Sequence, residues 1–559
     1  MKFKKFFRVK LWEDIMKFKK FFRVKLWEDI MRKFFFLYLW FFLLPVIGLS
    51  YTGEVIESFD LPSSCPTGLT YDGKNIWVAD RKTDTLYCIN KENGDVLRKI
   101  SAPAYWPMGL AWDGKALWNA DVKTGNIYQI DPKDGTILKT IPAPESSPRG
   151  LTWDGEYLWC TDNGSNNVIQ FSPGDGTTIK SFDAPATDPR GLCFDGKYFW
   201  NVDRKKDELY MIDGKTGTVL LITDAPGPFT RGLCYDGNFL WAVDYQNDKL
   251  YKLKTYDDKK YIRTNARKSI ITQTHQVKNF GPGKILTLDV HLAIPKDRPS
   301  QEIVEMEYSL KPTDIIADKW HQKTAHFYYE EIESGETINS VMTTKATIYE
   351  TRYFLFPDKI GTLNDIPEKI QDNYLENNAK YQIDHPVIQK AVEKAVGNTK
   401  NCYWIARHIF DYLIDNMYYE LVGGWNTAPA VLERGNGSCS EYTFVYIAMC
   451  RAAGLPARYV GSVVVRGDDA CVDDVFHRWA EVYLPNYGWV PVDPSGGDQK
   501  YPRDQANHFG YLSNRFLITT ESGGGSKTMS WTYNSNEFLT TEPQTKVYVE
   551  TIAEWEPEE

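Results

Sequence analysis

No two cysteines in this 559-residue sequence are separated by two residues, and none of the nine falls at a metal-ligand spacing. A zinc site built on thiolates is therefore not expected, and neither a metal nor another cofactor is predicted. A basic excess is also missing. Lys and Arg number 65 against 74 Asp and Glu, a net charge of −9, which argues against nucleic acid as a partner. Beyond residue 50 there is no apolar run near the ~20 residues that a helical membrane span needs, and no loop has the ligand spacing of an EF-hand. The low-hydrophobicity, high-charge signature of disorder is absent as well: apolar residues make up 42% and charged residues 25%. The odd number of cysteines leaves at least one thiol unpaired, and burial as free core residues is expected for most of them. Aromatic residues, by contrast, are abundant at 14%, which favours strands.

A chain this long exceeds one hydrophobic core, and ~3–4 domains are expected. Residues 1–15 recur unchanged at 16–30, a tandem copy that reads as a duplicated leader and not as a folded unit. Arg32 and Lys33 then precede an apolar run, Phe34–Leu49, and small residues close it at Gly48 and Ser50. Residues 31–50 have the architecture of a secretory signal, which places the start of the mature chain near Tyr51, in a secreted or extracytoplasmic compartment and without a membrane span.

Residues 51–260 are dominated by a period of 41. Gly-Leu begins at Gly68, Gly109, Gly150, Gly191 and Gly232; Trp77, Trp118, Trp159, Trp200 and Trp241 keep the same step, as do Asp80, Asp121, Asp162, Asp203 and Asp244. Four short strand-like runs per unit predict a β-propeller of five blades, or six if residues 258–270 add strands. The final-strand pattern occurs first, at 53–62, so the last blade should borrow that strand and close the ring. The repeats resemble NHL and lactonase-like propellers, which implies an architecture and no function. A lactonase-like metal site would need carboxylates clustered at the channel mouth. The Trp series reads as packing and the Asp series as turn caps. Arg149, Arg190 and Arg231 precede the glycine in three units, with Thr67 and Met108 in the other two. They read either as a lopsided cluster for an acidic ligand or, more simply, as ion pairs with Asp162, Asp203 and Asp244.

The period ends near residue 260. Over 261–365, alternation takes over: Leu286, Leu288, Val290, Leu292 and Ile294 on one face, then Val304, Met306, Tyr308 and Leu310. This predicts an antiparallel sandwich. His321 and His326 read as ordinary surface or core histidines. Helical spacing begins at Pro386 and again over 402–416.

The chemistry is concentrated in residues 366–559. A Gly-rich turn, Gly435-Asn436-Gly437, delivers Cys439 to the start of a helix predicted to run to about Ala453, with Gly454 and Pro456 as stops. Unpaired N–H groups at a helix N-terminus stabilise a thiolate and could hold an oxyanion. His477 and Asp493 lie on the two arms of a predicted hairpin turning at Pro485–Gly488, with equal parity, so their side chains can meet. His477 would act as base and acid, and Asp493 would fix its tautomer.

GNGSCSEY, RAAGLPARYV, FHRWAEVYL and GWVPVDPS together resemble the transglutaminase-like core, over roughly residues 385–500. The resemblance implies a catalytic triad of Cys439, His477 and Asp493 on an α+β papain-like fold, preceded by an Ig-like β-sandwich. It further implies a thioester intermediate and a protein or peptide substrate. Hydrolysis of amide or peptide bonds is favoured over cross-linking, with the propeller as a binding module for a protein or glycan. The alternative is a surface adhesion or scaffold protein with a vestigial triad. Trp425 is a weaker candidate for an oxyanion partner and stays outside the triad; Cys450 reads as core.

Overall fold

The computed structural model describes residues 51–421, 424–467 and 470–558. The leader and signal expected over 1–50 lie outside them. Among the described residues no helix is long and apolar enough to cross a membrane, and all nine cysteines are free thiols, seven of them buried.

Each 41-residue unit folds as a four-stranded antiparallel sheet, and five such sheets follow one another. The Asp-Gly steps turn the first hairpin of each unit, with Gly73 at φ +92° and Gly155 at φ +107°, a region that costs glycine little. Val55–Asp60 pairs with Lys249–Leu253, so the earliest strand completes the fifth sheet. At the axis the Gly-Leu strands touch backbone to backbone. A Cβ on Gly68 would lie 2.1 Å from the Met108 carbonyl oxygen, and one on Gly232 would lie 2.9 Å from Gly68, closing a propeller-like ring. Residues 261–270, which a sixth blade would require, belong to a 21-residue strand of another sheet, Tyr261–Gly281.

The repeated side chains explain the repeat. The indoles of Trp77, Trp118, Trp159 and Trp200 donate to the Asp of the same unit's Asp-Gly turn at 2.6–2.9 Å. The buried carboxylates of the Asp80 series tie two loops together: Asp162 accepts from Ser147 N at 2.6 Å and from Gly164 N and Ser165 N at 2.8 Å. This accounts for the Asp series as turn caps, and no cluster that could hold a metal occurs among the described residues. The simpler reading of the arginines fails. Arg190 pairs with Asp188 at 2.6 Å, Arg149 reaches Ser147 Oγ at 3.2 Å, and Arg231 stacks over Tyr245 at 4.0 Å. Asp162, Asp203 and Asp244 are already occupied by loop N–H groups.

Residues 261–353 form two facing sheets around Val277, Leu288, Val290, Leu292, Phe327 and Met342. The alternation fails at three positions: Leu310 is exposed because the strand ends at Tyr308, and the other two mark irregularities in pairing. Leu286 is exposed because the pairing with Ser535–Thr541 slips between Ile285 and Thr287, putting Ile285 inside. Val304 is exposed because the strand Gln301–Tyr308 slips between Ile303 and Glu305. An extra residue at a bulge reverses the faces locally. The boundary expected at 365/366 does not separate the sheets. Lys546–Pro557 pairs with Tyr261–Gly281, and Ser535–Thr541 pairs with Ile285–Ala293, so strands assigned to the catalytic tail complete the two facing sheets.

In sequence, the α+β core lies between the strands that end at residue 353 and those that begin at residue 535. Its helices include Pro386–Val396, Cys402–Asn416, Ala428–Arg434 and Cys439–Ala452. A four-stranded sheet runs in the order Gly488–Val492, His477–Leu484, Ala457–Val464, Phe516–Ser522. Residues 439–451 are buried on every side, which fixes the helix carrying Cys439 in a single position.

Candidate active site

Cys439 is the first residue of its helix, and the chain reaches it through three restraints. Gly435, at φ +77°, ends the preceding helix. Asn436-Gly437 then pairs in parallel with Tyr418-Tyr419. Glu441, fully buried, accepts from Ser438 N at 3.1 Å, Arg434 Nη2 at 2.9 Å and Asn426 Nδ2 at 2.9 Å. A Ser-x-x-Glu capping pattern thus also anchors the segment that carries Trp425. The Ser438-x-x-Glu441 pattern is itself a local signal present in the sequence.

The hairpin meets the helix at right register. Ala480 lies opposite Val492, which puts Asp493 one diagonal step from His477. Asp493 Oδ2 lies 2.8 Å from His477 Nε2, leaving Nδ1 for the thiol side. The other carboxylate oxygen accepts from Ser495 Oγ at 2.6 Å and Ser495 N at 3.1 Å. The His477 ring stacks against Trp479 and Phe516, each with a centroid distance of 5.7 Å. The three residues singled out in the sequence are thus brought together.

Electrostatics follow from this packing. Burial opposes ionisation of Cys439, but the hydrogen bond and charge of His477 outweigh it and hold the thiol below its ordinary value. Burial likewise disfavours the charged imidazole, yet the Asp493 carboxylate dominates and raises His477 to about 10. Asp493, in spite of burial, is lowered to about 2 by the charge of His477. At neutral pH Asp493 is therefore a carboxylate and His477 an imidazolium, and this pair favours the thiolate form of Cys439. Cys450 is the opposite case: burial alone pushes its thiol up, so it is an inert core residue.

The sulfur opens on a cleft of about 460 Å³ lined by Tyr419, Trp425, His477 and Tyr533. The opposite wall comes from the two facing sheets: His275, Ser535, Glu537 and Thr551. A larger cavity, about 740 Å³, lies between two propeller-like sheets and the helix Cys402–Asn416 and touches none of the three residues. Trp425 lines the cleft, with no hydrogen bond to Cys439. Two other aromatics of the cleft, not singled out in the sequence, interact with the Cys439 charge. Burial raises the Tyr533 phenol to about 12, with the Cys439 charge adding to it. Tyr419 is raised for the same two reasons. Behind them the fully buried Arg478 guanidinium is enclosed by the rings of Trp425, Phe444, Tyr459 and Tyr533 at 4.2–5.2 Å.

Comparison with known proteins agrees with this geometry. The model of the transglutaminase-like superfamily matches residues 389–494, an interval that contains Cys439, His477 and Asp493. The chain carries a transglutaminase-like domain. An uncharacterized protein of Haemophilus influenzae is 29% identical over 131 residues, 19% of this chain and 35% of that protein. The uncharacterized protein YebA of Bacillus subtilis is 25% identical over 162 residues, 27% of this chain and 19% of that protein. The chain thus spans about a third and a fifth of these curated relatives. Among solved structures, a candidate cysteine protease from Cytophaga hutchinsonii is similar over 52% of this chain and 92% of its own, with 16% identity and a TM-score of 0.37. The glutaminyl cyclase of Myxococcus xanthus is similar over 36% of this chain and 97% of its own, with 15% identity and a TM-score of 0.33. A virginiamycin B lyase from Staphylococcus aureus is similar over 35% of this chain and 68% of its own, at 21% identity and a TM-score of 0.25.

Proposed function

We propose that the protein is a secreted cysteine enzyme that hydrolyses amide or peptide bonds of proteins or peptides. On this reading it combines a five-bladed propeller for binding, an Ig-like sandwich and the catalytic core. The observation that carries the proposal is the buried Cys439 at a helix start, facing an imidazole that Asp493 holds protonated. Cys439 Sγ attacks the carbonyl carbon, and N–H groups of the first helical turn take up the oxyanion charge. As the C–N bond breaks, His477 gives its proton to the departing amine and a thioester remains. Water then attacks the thioester carbon while His477 accepts its proton. Release of the carboxylic acid restores the thiolate. Tyr419 and Tyr533, which line the cleft with Cys439, would contact the acyl group.

The test is labelling of the purified chain with a thiol-directed electrophile across pH, beside Cys439→Ala and His477→Ala. Fast labelling at mildly acidic pH, lost in the first variant and slowed in the second, is expected. Labelling no faster than that of a free thiol, unchanged in His477→Ala, would overturn the enzyme reading. The propeller would then be the functional part and the protein a scaffold.

A further inference from the structure

The propeller-like ring departs from its own symmetry at one position. The residue before the axial glycine is Thr67 or Met108 in two sheets and arginine in the other three. These arginines stand on consecutive inner strands, Pro148–Trp153, Pro189–Phe194 and Thr230–Tyr235. Their backbones reach the axis: a Cβ on Gly109, Gly150 or Gly191 would lie 2.6, 2.3 or 2.8 Å from the carbonyl oxygen of Arg149, Arg190 or Arg231 respectively. Three guanidinium groups therefore leave from one arc at one mouth of the ring. They are close enough to feel one another. Burial, followed by the charges of Arg190 and Arg231, lowers Arg149 to about 10.

The carboxylates expected to neutralise them are committed elsewhere. Asp188 alone forms ion pairs within this group, at 2.6 Å to Arg190 and 2.7 Å to Arg204. Arg149 has a hydroxyl and a thioether sulfur for neighbours, and Arg231 has the face of Tyr245. The Nε atoms of all three are buried and have no hydrogen-bond partner. Like charges held together with unused donors are costly in a partly desolvated place, and an anion relieves that cost. A guanidinium matches a carboxylate with two parallel hydrogen bonds, and stacking on Tyr245 holds the plane of one fork in advance.

We propose that this arc is a binding site for a ligand presenting two or more closely spaced carboxylates, either a free polycarboxylate anion or an acidic segment of a protein. The uncharged Thr67 and Met108 side of the mouth gives the site a direction. The site also borders the core. Pro185, in the loop that leads to Asp188, accepts from Arg503 N at 3.0 Å, and Arg503 pairs with Glu208 at 2.6 Å. Arg503 opens the short helix Pro502–Ala506, which runs into His508, whose carbonyl accepts from Asp493 N at 2.9 Å. The loop beside the arc thus touches the helix that leads to the triad's carboxylate.

The experiment is calorimetric titration of the purified chain with citrate and with acetyl-Glu-Glu-Glu-amide at fixed ionic strength. Acetyl-Gln-Gln-Gln-amide serves as the control. Saturable binding of either acid, weakened at least tenfold in Arg149→Met and in Arg231→Met, is the expected result. Arg149→Lys, which keeps the charge and loses the fork, should fall between, and thiol labelling of Cys439 should be unchanged in all three. Binding of citrate alone identifies a free polycarboxylate as the source, and binding of the peptide identifies an acidic protein segment. No saturable binding of either by the unmodified chain would overturn the proposal. So would binding that survives both methionine variants or does not distinguish Glu from Gln.

Discussion

The ring and the transglutaminase-like core arrange the same side chains on opposite plans. In the ring, Asp and Trp recur in every sheet and serve the fold: the Asp162 carboxylate is spent on loop N–H groups and the Trp159 indole on a turn. In the core, Asp493 occurs once and is spent on His477. A repeat makes a residue's role redundant in kind, so function in the ring has to be sought where the repeat breaks, as at the three arginines. In a single-copy domain each polar residue near the nucleophile carries its own role, and departures have no background to stand against.

Three changes would break or sharpen this contrast. The largest effect is expected from Asp493→Asn. Electrophile labelling of Cys439, or turnover of an amide once one is found, should fall by on the order of 10²–10⁴-fold with the fold intact. The pH profile gives the sign. His477 is raised to about 10 by Asp493 in the unmodified chain, so amide turnover, which needs the imidazolium as proton donor, should hold up to that pH. In Asp493→Asn the upper limb should move down. An unmoved limb would mean that the carboxylate does not tune the imidazole. The second change is Asp162→Ala, which strands two loops. It should cost about 3 kcal/mol in urea unfolding, provided the chain unfolds as one unit, while labelling of Cys439 stays the same. Altered labelling would show the ring and the nucleophile to be coupled. The smallest effect is the difference between Leu288→Ala, at about 3 kcal/mol, and Leu286→Ala, at less than about 0.5 kcal/mol. Equal losses would contradict the outward turn of Leu286.

That last pair marks what could be read in advance. The ring was legible because a period of 41 is carried by residues whose jobs are local, and the closing strand was legible from the phase of the repeat. Cys439, His477 and Asp493 were legible because a helix start and hairpin parity are short-range properties. The helix 402–416 emerged with the bounds expected of it. The rest depends on partners far along the chain. Nothing in the alternation around Leu286 signals a slip in pairing with residues 535–541, and nothing near Arg190 distinguishes Asp188 from Asp203 as its partner. Glu441 lay in a readable capping pattern, but its bonds to Arg434 and Asn426 depend on how three segments converge.

The pairing of Lys546–Pro557 with Tyr261–Gly281 has a mechanical consequence. The core is inserted into the two facing sheets: the chain leaves them after residue 353, pairs with the larger one again at Cys471–Asp473 and Tyr511–Leu512, and rejoins both from residue 535. Several connections restrain a joint as one linker cannot: twisting about any of them strains the others. The cleft has Cys439 on the inserted body and His275 and Glu537 on its host, so its jaws are set at a nearly constant gape. Substrate selection there should follow the width of a fixed slot, with little contribution from closure around the substrate.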